Sequence, residues 1–305
     1  MNTLENTFDQ FRQAITAAGL NPPDFILDDG FIHRFSPSGK RVGASAWYVL
    51  HSDGVPAGVF GDWKAGFTQT WCAKSDKAMT PAELDHHRQR VKAMKAQRDA
   101  DESARLKGEA DKAFARWTNA GQAGGHPYLA RKGVLAHGIR QDGQTLLIPL
   151  RDTTGKLHSL QTITPDGEKR FKGRMRGCYH AIGGKPAGRI VICEGYATGA
   201  SIHEATGDAV AVAFNAGNLG PVAVALHKAY PALMLVIAAD DDWCTEGNTG
   251  LSAARQAALA VGGLVVMPQF PTGRPPKATD FNDLATLAGL AAVRACFTEI
   301  EEAAC

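Results

Sequence analysis

From Arg189 to Met267 the chain alternates short, almost wholly apolar runs with longer segments of helical spacing. RIVIC (189–193) is followed by YATGASIHEATG, AVAVAF (209–214) by LGPVAVALHKAY, and LMLVIAA (233–239) by NTGLSAARQAALAVG, before LVVM (264–267) closes the series. Apolar runs this continuous have no face to give to water, so each must be buried on both sides. Strands of that kind, separated by helices of about 10–15 residues, belong to a parallel sheet covered on both faces. The pattern predicts a doubly wound α/β domain over residues 189–305.

In open α/β sheets ligands gather beyond the carboxyl ends of the strands, where residues that directly follow each strand converge. Those positions are acidic here. The first strand runs into Glu194, the third into Asp240-Asp241-Asp242, and the segment after the fourth contains Asp280-Phe281-Asn282-Asp283. Clustered carboxylates repel one another and are costly to desolvate, which points to cations among them. Mg²⁺ suits oxygen donors of this type, and Mn²⁺ could substitute for it. Two such ions would activate a hydroxyl and balance charge on a phosphate in transfer, as nucleotidyl transfer or phosphodiester cleavage requires. Any one of these acids has an ordinary alternative, capping a helix or facing water. Asp241 is read in that way, because only Asp240 and Asp242 need point to one side.

The net charge of +2 conceals a segregation. Residues 126–189 hold 12 Lys/Arg against 4 Asp/Glu, whereas residues 190–305 hold 5 against 12. A basic surface beside an acidic pocket suits a polyanion held next to metal ions. Within the basic region, TLLIPLRD, a TTGK turn and LHSLQTI form a β-hairpin, followed by the run KRFKGRMR. Further upstream, residues 4–19 place Phe8, Phe11, Ile15 and Ala18 at helical spacing and stop at Gly19. FIHRF, SAWYVLH and AGVFG then alternate as strands. Residues 81–116, with nine basic and seven acidic residues, predict one long exposed helix or two, and GQAGG at 121–125 a linker. The expected division is therefore a small N-terminal α+β unit, rich in strands, at 1–79, a charged helical connector at 80–125, a basic mixed α+β subdomain at 126–188 and the α/β domain at 189–305.

Composition excludes other classes. With 44% hydrophobic and 21% charged residues, the chain has no uninterrupted apolar stretch of membrane-spanning length and no signal-peptide pattern at its start. A cytoplasmic protein with no membrane partner is expected. The six cysteines include no CxxC pair, so no structural zinc is expected. Neither GKR at 39–41 nor GGKP at 183–186 completes a phosphate-binding loop, so any helicase would be a separate protein or part of a longer product.

At the acidic residues the sequence resembles the Toprim family, whose signature is a Glu after the first strand, an Asp-x-Asp after the third and a later acidic motif. HPYLARKGV, IPLRDTTGKLHSLQTI, KRFKGRMRGCYHAIGG and RIVICEGYATGAS stand in the order of the catalytic core of bacterial-type primases. DGFIHRF, SAWYVLH and FGDWKAG resemble the leader of primases from conjugative plasmids, integrative elements and phages. The resemblance implies a Rossmann-like Toprim fold and synthesis of short RNA primers from NTPs on a single-stranded DNA template. It makes Glu194 the general acid/base, with Asp240, Asp242, Asp280 and, less centrally, Asp283 as metal-site acids. It assigns Lys169, Arg170, Lys172, Arg174 and Arg176 to phosphate contacts with template and nucleotides. Two departures stand out. Thr198 occupies a position where replicative primases often carry Asp, and no zinc ribbon is present. Trp47, Tyr48, Trp63 and Trp71 could take over template stacking from such a ribbon, although aromatic residues in a small β unit ordinarily form its core. A Toprim nuclease and a non-catalytic single-stranded-DNA-binding accessory protein remain the alternatives.

Overall fold

The computed structural model describes residues 3–39, 44–52, 55–63, 65–74, 80–245 and 247–303. Cys305 and the Lys40-Arg41 pair of the GKR run lie outside them. The chain divides into two compact units, Met1–Ala100 and Asp101–Cys305.

In the first unit, helix α1 (Thr3–Ala17) packs on an antiparallel sheet of β1 (His33–Phe35), β2 (Ala46–His51), β3 (Ala57–Asp62) and β4 (Phe67–Cys72), in the order β1-β2-β3-β4. Phe11 and Ile15, one helical turn apart, are fully buried against Phe35, Tyr48, Leu50 and Phe60. This core claims most of the aromatic rings that could have stacked on bases. Trp47 and Tyr48 are buried, Tyr48 Oη accepts a hydrogen bond from Leu27 N at 2.9 Å, and Trp71 lies against Phe11. Trp63 is half-exposed, but it stacks on Trp47 at 5.5 Å and carries Arg34 at 4.5 Å. Rings engaged in this way hold the unit together, which is the ordinary alternative raised for them above.

Helix α2 (Pro81–Asn119) is a single helix of 39 residues. Most of it is exposed, as its alternating charges require, and Ala113 and Trp117 near its end turn inward onto Leu147, Leu157 and Leu160. Beyond it come β5 (Gly121–Gln122), the short helix α3 (Pro127–Lys132), β6 (Arg140–Asp142), β7 (Thr145–Arg151), β8 (Leu157–Ile163) and β9 (Lys169–Gly173). The five strands form an antiparallel sheet in sequential order, with β7 and β8 the expected hairpin and the basic run supplying β9 as an edge strand.

The remaining elements are β10 (His180–Ile182), β11 (Arg189–Cys193), α4 (Tyr196–Thr206), β12 (Ala209–Val212), α5 (Ala216–Ala229), β13 (Met234–Ala238), α6 (Thr249–Val261), β14 (Leu264–Val266) and α7 (Phe281–Ala303). Strand order is β10-β12-β11-β13-β14, with β11 to β14 parallel and β10 an antiparallel edge. Alternation along the strands splits the core in two. Val191, Cys193, Val210, Val212, Val236 and Ala238 face α4 and α7, together with Leu146, Ile148 and Ile163 of the preceding sheet. Ile190, Ile192, Ala211, Leu235 and Ile237 face α5 and α6. The doubly wound fold is therefore present, with an antiparallel edge strand added. Helix α7 kinks at Gly289, whose φ of 81° interrupts the helical backbone. Among the described residues, no helix is long and apolar enough to cross a membrane.

Edge strand β10 carries a buried histidine. A ring N–H of His180 donates to the His137 carbonyl at 2.8 Å, and burial pushes the imidazole down to about 4. In the unfolded chain it protonates near 6.5, so between those values the unfolded state binds more protons. The contribution of His180 to stability is then complete above about pH 6.5 and is lost as pH drops toward 4, by about 3 kcal/mol over that window. Thermal unfolding measured from pH 7.5 to 4 should show this slope as the difference between wild type and His180→Gln, since the other titrating groups are common to both. His180→Gln should lack that part of it, and identical slopes would refute the assignment.

Candidate active site

Strands β11 and β13 are neighbours, with Ile192 paired to Ile237, but the helices that follow them lie on opposite faces of the sheet. Chains leaving adjacent strands in opposite directions open a crevice between them, the topological switch point of an α/β sheet. Glu194 leaves β11 and Asp240 leaves β13 at this point. A Cβ at Gly199 would come within 2.9 Å of Val212 Cγ2 and 3.0 Å of Cys193 Sγ, so glycine lets α4 lie close against the sheet directly behind Glu194. Across the crevice, a Cβ at Gly250 would stand 2.8 Å from Asp240 O and 3.2 Å from Asp242 Oδ2. Glycine there brings the first turn of α6 against the acidic loop.

The carboxylates feel one another. Burial raises Asp240 to about 8, reinforced by the charges of Glu194, Asp280, Asp242 and Asp283. Its Oδ1 is sealed from solvent without a hydrogen-bond partner. Glu194 is raised by burial and then by Asp242, against a hydrogen bond from Ala216 N that favours the charged form. Asp280 is raised by burial and by Asp283, opposed by the Asp283 backbone N–H, Lys132 and Thr198. All three shifts have the sign of negative charge crowded into a poorly hydrated space.

Asp280 and Asp283 are also structural. Asp280 Oδ1 accepts from Asp283 N at 2.8 Å, while Asp283 Oδ2 accepts from Thr279 N at 2.9 Å, a reciprocal cap on α7. The hydroxyl of Thr198 donates to Asp280 Oδ2 at 3.0 Å, so the residue that departs from the replicative pattern orients a carboxylate in place of adding one. Asp242 is braced through its backbone N–H, which donates to Asn248 Oδ1 at 3.0 Å. Asp241 neither caps a helix nor faces water. It is ion-paired with Arg274 and accepts from Asn248 Nδ2 at 2.7 Å, and its backbone N–H donates to Thr279 O at 2.8 Å. Asp241 thereby ties the loop after β13 to the segment that leads into α7.

The basic residues do not form one surface. Register pairs Lys169 with Ile163 and Lys172 with Leu160, whose side chains enter opposite cores. Lys169 therefore lies on the acidic side. It is exposed as a residue, yet the protein around its ammonium displaces enough water to push it below its ordinary value; Lys132 adds to this, while Asp280 and Asp240 oppose it. Lys172 lies on the α2 side, where its charge reaches Glu109. Arg170 is exposed and paired with Glu168 at 2.7 Å. Arg174 and Arg176 are exposed in the loop that follows β9.

Several residues of this neighbourhood escaped the sequence reading. Asn218 in the first turn of α5 is buried; its Oδ1 accepts from Gly177 N at 2.8 Å, and its Nδ2 donates to Cys178 O at 3.0 Å and Ala213 O at 2.8 Å. Lys132 stands 3.9 Å from Asp283. Asn248 caps α6 from a left-handed conformation (φ 39°), and the Asn-Thr-Gly ahead of a helical run is a signal that could have revealed it. Nothing local marks Asn218 or Lys132.

The donors present fit a hard divalent cation: carboxylate oxygens, one of them orphaned. Among the described residues no three His, Cys, Asp or Glu side chains stand as a ready coordination shell. Mg²⁺ asks for less, since it is commonly held by one or two carboxylates with water and substrate phosphate completing its shell.

Residues 189–291 match the Toprim domain family model. Two proteins called DNA primase TraC, both from Escherichia coli, are 36% identical to this chain over 294 and 292 residues, which is 87% and 86% of this chain. The matches span 27% and 19% of those relatives' own lengths. The crystal structure of the Aquifex aeolicus primase, with its zinc-binding and RNA polymerase domains, aligns over 96% of this chain and 85% of that one at 12% identity and a TM-score of 0.45. The chain thus carries a Toprim domain, joined to an upstream region that it shares with the TraC primases, and is a relative of those proteins.

Proposed function

We propose that the chain is a DNA primase that builds short RNA primers on single-stranded DNA from NTPs, in the replication of a plasmid, phage or other mobile element. The observation that carries this reading is the convergence of Glu194, Asp240, Asp242 and Asp280 at the switch point, with Asp240 Oδ1 left unpartnered inside it. Asp240 and Asp242 would hold Mg²⁺, with Asp280 beside them. The bound ion would supply charge balance for the transferring phosphate and a more acidic attacking hydroxyl.

The protein's own groups have definable work. Glu194, a carboxylate made more basic by burial and by Asp242, is suited to take the proton of the attacking 3′-hydroxyl as its oxygen bonds to the α-phosphorus and pyrophosphate departs. The Ala216 N–H holds that carboxylate in place. Lys169, which senses both Asp240 and Asp280, would contact nucleotide phosphate at the reaction centre. Arg174 and Arg176 would follow the template backbone without reading its sequence. Any unwinding would fall to a separate helicase or to another part of a longer product.

The test is primer synthesis from labelled NTPs on defined single-stranded templates, with Mg²⁺ and with Mn²⁺, comparing wild type with Glu194→Gln. The variant is expected to lose at least about a hundredfold in rate, the lower end of what a positioned base contributes, while retaining template affinity. Full synthesis by the variant would refute the role of Glu194. Cleavage of DNA by the wild type without NTPs would establish a nuclease instead.

A further inference from the structure

Immediately beyond Asp242 the chain presents Trp243, a large aromatic side chain that is 50% exposed. A tryptophan offers much apolar area, and leaving it half in water beside a polar site forgoes the burial that normally fixes its place. Its position is nonetheless braced. The backbone N–H of Trp243 donates to Asp241 O at 2.8 Å, and the next turn is closed by Thr245 N on Asp242 O at 2.7 Å. The Arg274 guanidinium lies 5.3 Å from the Trp243 ring and 4.1 Å from the Phe270 ring.

Arg274 is not available to bind phosphate. Its Nε donates to Ala278 O at 2.7 Å, its Nη2 to Asp241 O at 2.7 Å, and its Nη1 is ion-paired with the Asp241 carboxylate. With its charge matched and donors on all three nitrogens engaged, it contributes a flat, fixed surface that supports the indole. Trp243 therefore presents an aromatic face, and the charge of the guanidinium that backs it is already compensated. A planar, uncharged, polarisable ligand fits it, and a phosphate does not.

We infer that Trp243, supported by Arg274 and Phe270, is the stacking platform for a nucleobase whose phosphate lies at the acidic centre. The inference rests on the primase reading and deepens it, assigning the base end of the nucleotide as the carboxylates and Lys169 assign its phosphate end. Trp243 and Asp242 are consecutive, with Cα atoms about 3.8 Å apart, which puts the indole within reach of a nucleotide whose phosphate lies at the carboxylates. Stacking of this kind tolerates any base, because every base has a π-face. The platform would set nucleotide affinity and leave sequence choice to template pairing.

The experiment uses the full chain with Mg²⁺ and two fluorescent probes: 2-aminopurine riboside triphosphate alone, and single-stranded DNA containing one 2-aminopurine. Quenching reports stacking directly, without turnover. The wild type is expected to quench the triphosphate. Trp243→Ala should bind it about 5- to 100-fold more weakly, with unchanged circular dichroism, and Trp243→Phe should recover most of the affinity. A loss confined to the DNA probe would overturn the assignment to the nucleotide and put a template base on the indole instead. Undiminished quenching and affinity of Trp243→Ala for both probes would overturn the inference; if the wild type still made primers, the function would stand without it. A wild type that quenched neither probe and made no primer would overturn both.

Discussion

Asp240→Asn is expected to abolish primer synthesis and, at the same time, to stabilise the metal-free protein. The two effects have one cause. Asp240 is held at about 8 by burial and by four neighbouring carboxylates, against 3.8 for an ordinary aspartate. Between those values the folded state keeps a proton that the unfolded state gives up, so the native protein loses stability as pH rises through the window. The penalty is absent below about pH 4 and complete above about pH 8. Asparagine has nearly the same shape and no charge to desolvate, so the gain should be about 2–4 kcal/mol at pH 8, discounted for water entering the crevice, and should vanish near pH 4. Thermal unfolding in EDTA at both pH values measures it. Adding Mg²⁺ should raise the melting temperature of the wild type more than that of the variant, since a ligand stabilises only the state that binds it. The loss of synthesis should be at least about a hundredfold, within the several kcal/mol that a metal site can contribute. A variant that loses stability at pH 8, or that retains synthesis, would contradict this account of the site.

Asn218→Ala is expected to cost about 3 kcal/mol of stability and to weaken template binding without removing any group that touches the template. Truncation orphans Gly177 N, Cys178 O and Ala213 O together, and an unsatisfied buried polar group costs about 1–3 kcal/mol. The same side chain links two parts of the proposed machinery. Gly177 follows the loop of Arg174 and Arg176, while Ala213 leads into the turn whose Ala216 N–H holds Glu194. The salt dependence of single-stranded-DNA binding should therefore flatten as the loop loses its anchor. Asn218→Asp, nearly isosteric, should be no better than alanine, because a carboxylate cannot donate to the two carbonyls. Urea unfolding tests the first claim and anisotropy titrations at several salt concentrations the second. An aspartate variant of wild-type stability would rule out the bonding described.

How much of this was legible in advance differs by residue. Phe11 and Ile15 announced a helix face because a period of 3.6 leaves its mark within one turn, and the apolar runs from RIVIC to LVVM announced a parallel sheet because burial on both faces removes alternation. The order of the acids along the chain followed from the sheet, since residues after its strands must share an edge. Asp241 was misjudged: alternation turned it away from Asp240 and Asp242, but its partner Arg274 lies 33 residues on, with no local pattern to connect them. The basic run read as one patch because charge is visible in a sequence and direction is not; pairing with β8 sends Lys169 toward the acids and Lys172 toward α2. Thr198, a departure in the sequence, became a hydrogen-bond donor to Asp280 once α4 and α7 were side by side.

By itself, then, the sequence determined the class of fold, the edge of the sheet that bears the acids and their identity, because hydrophobic periodicity and strand order are properties of the chain. Only the tertiary structure decided how those acids are held, which lysine faces them and that Trp243 stands braced beside them. Hydrogen bonds, ion pairs and stacking act over a few ångströms between residues far apart in the chain, and folding alone sets those distances.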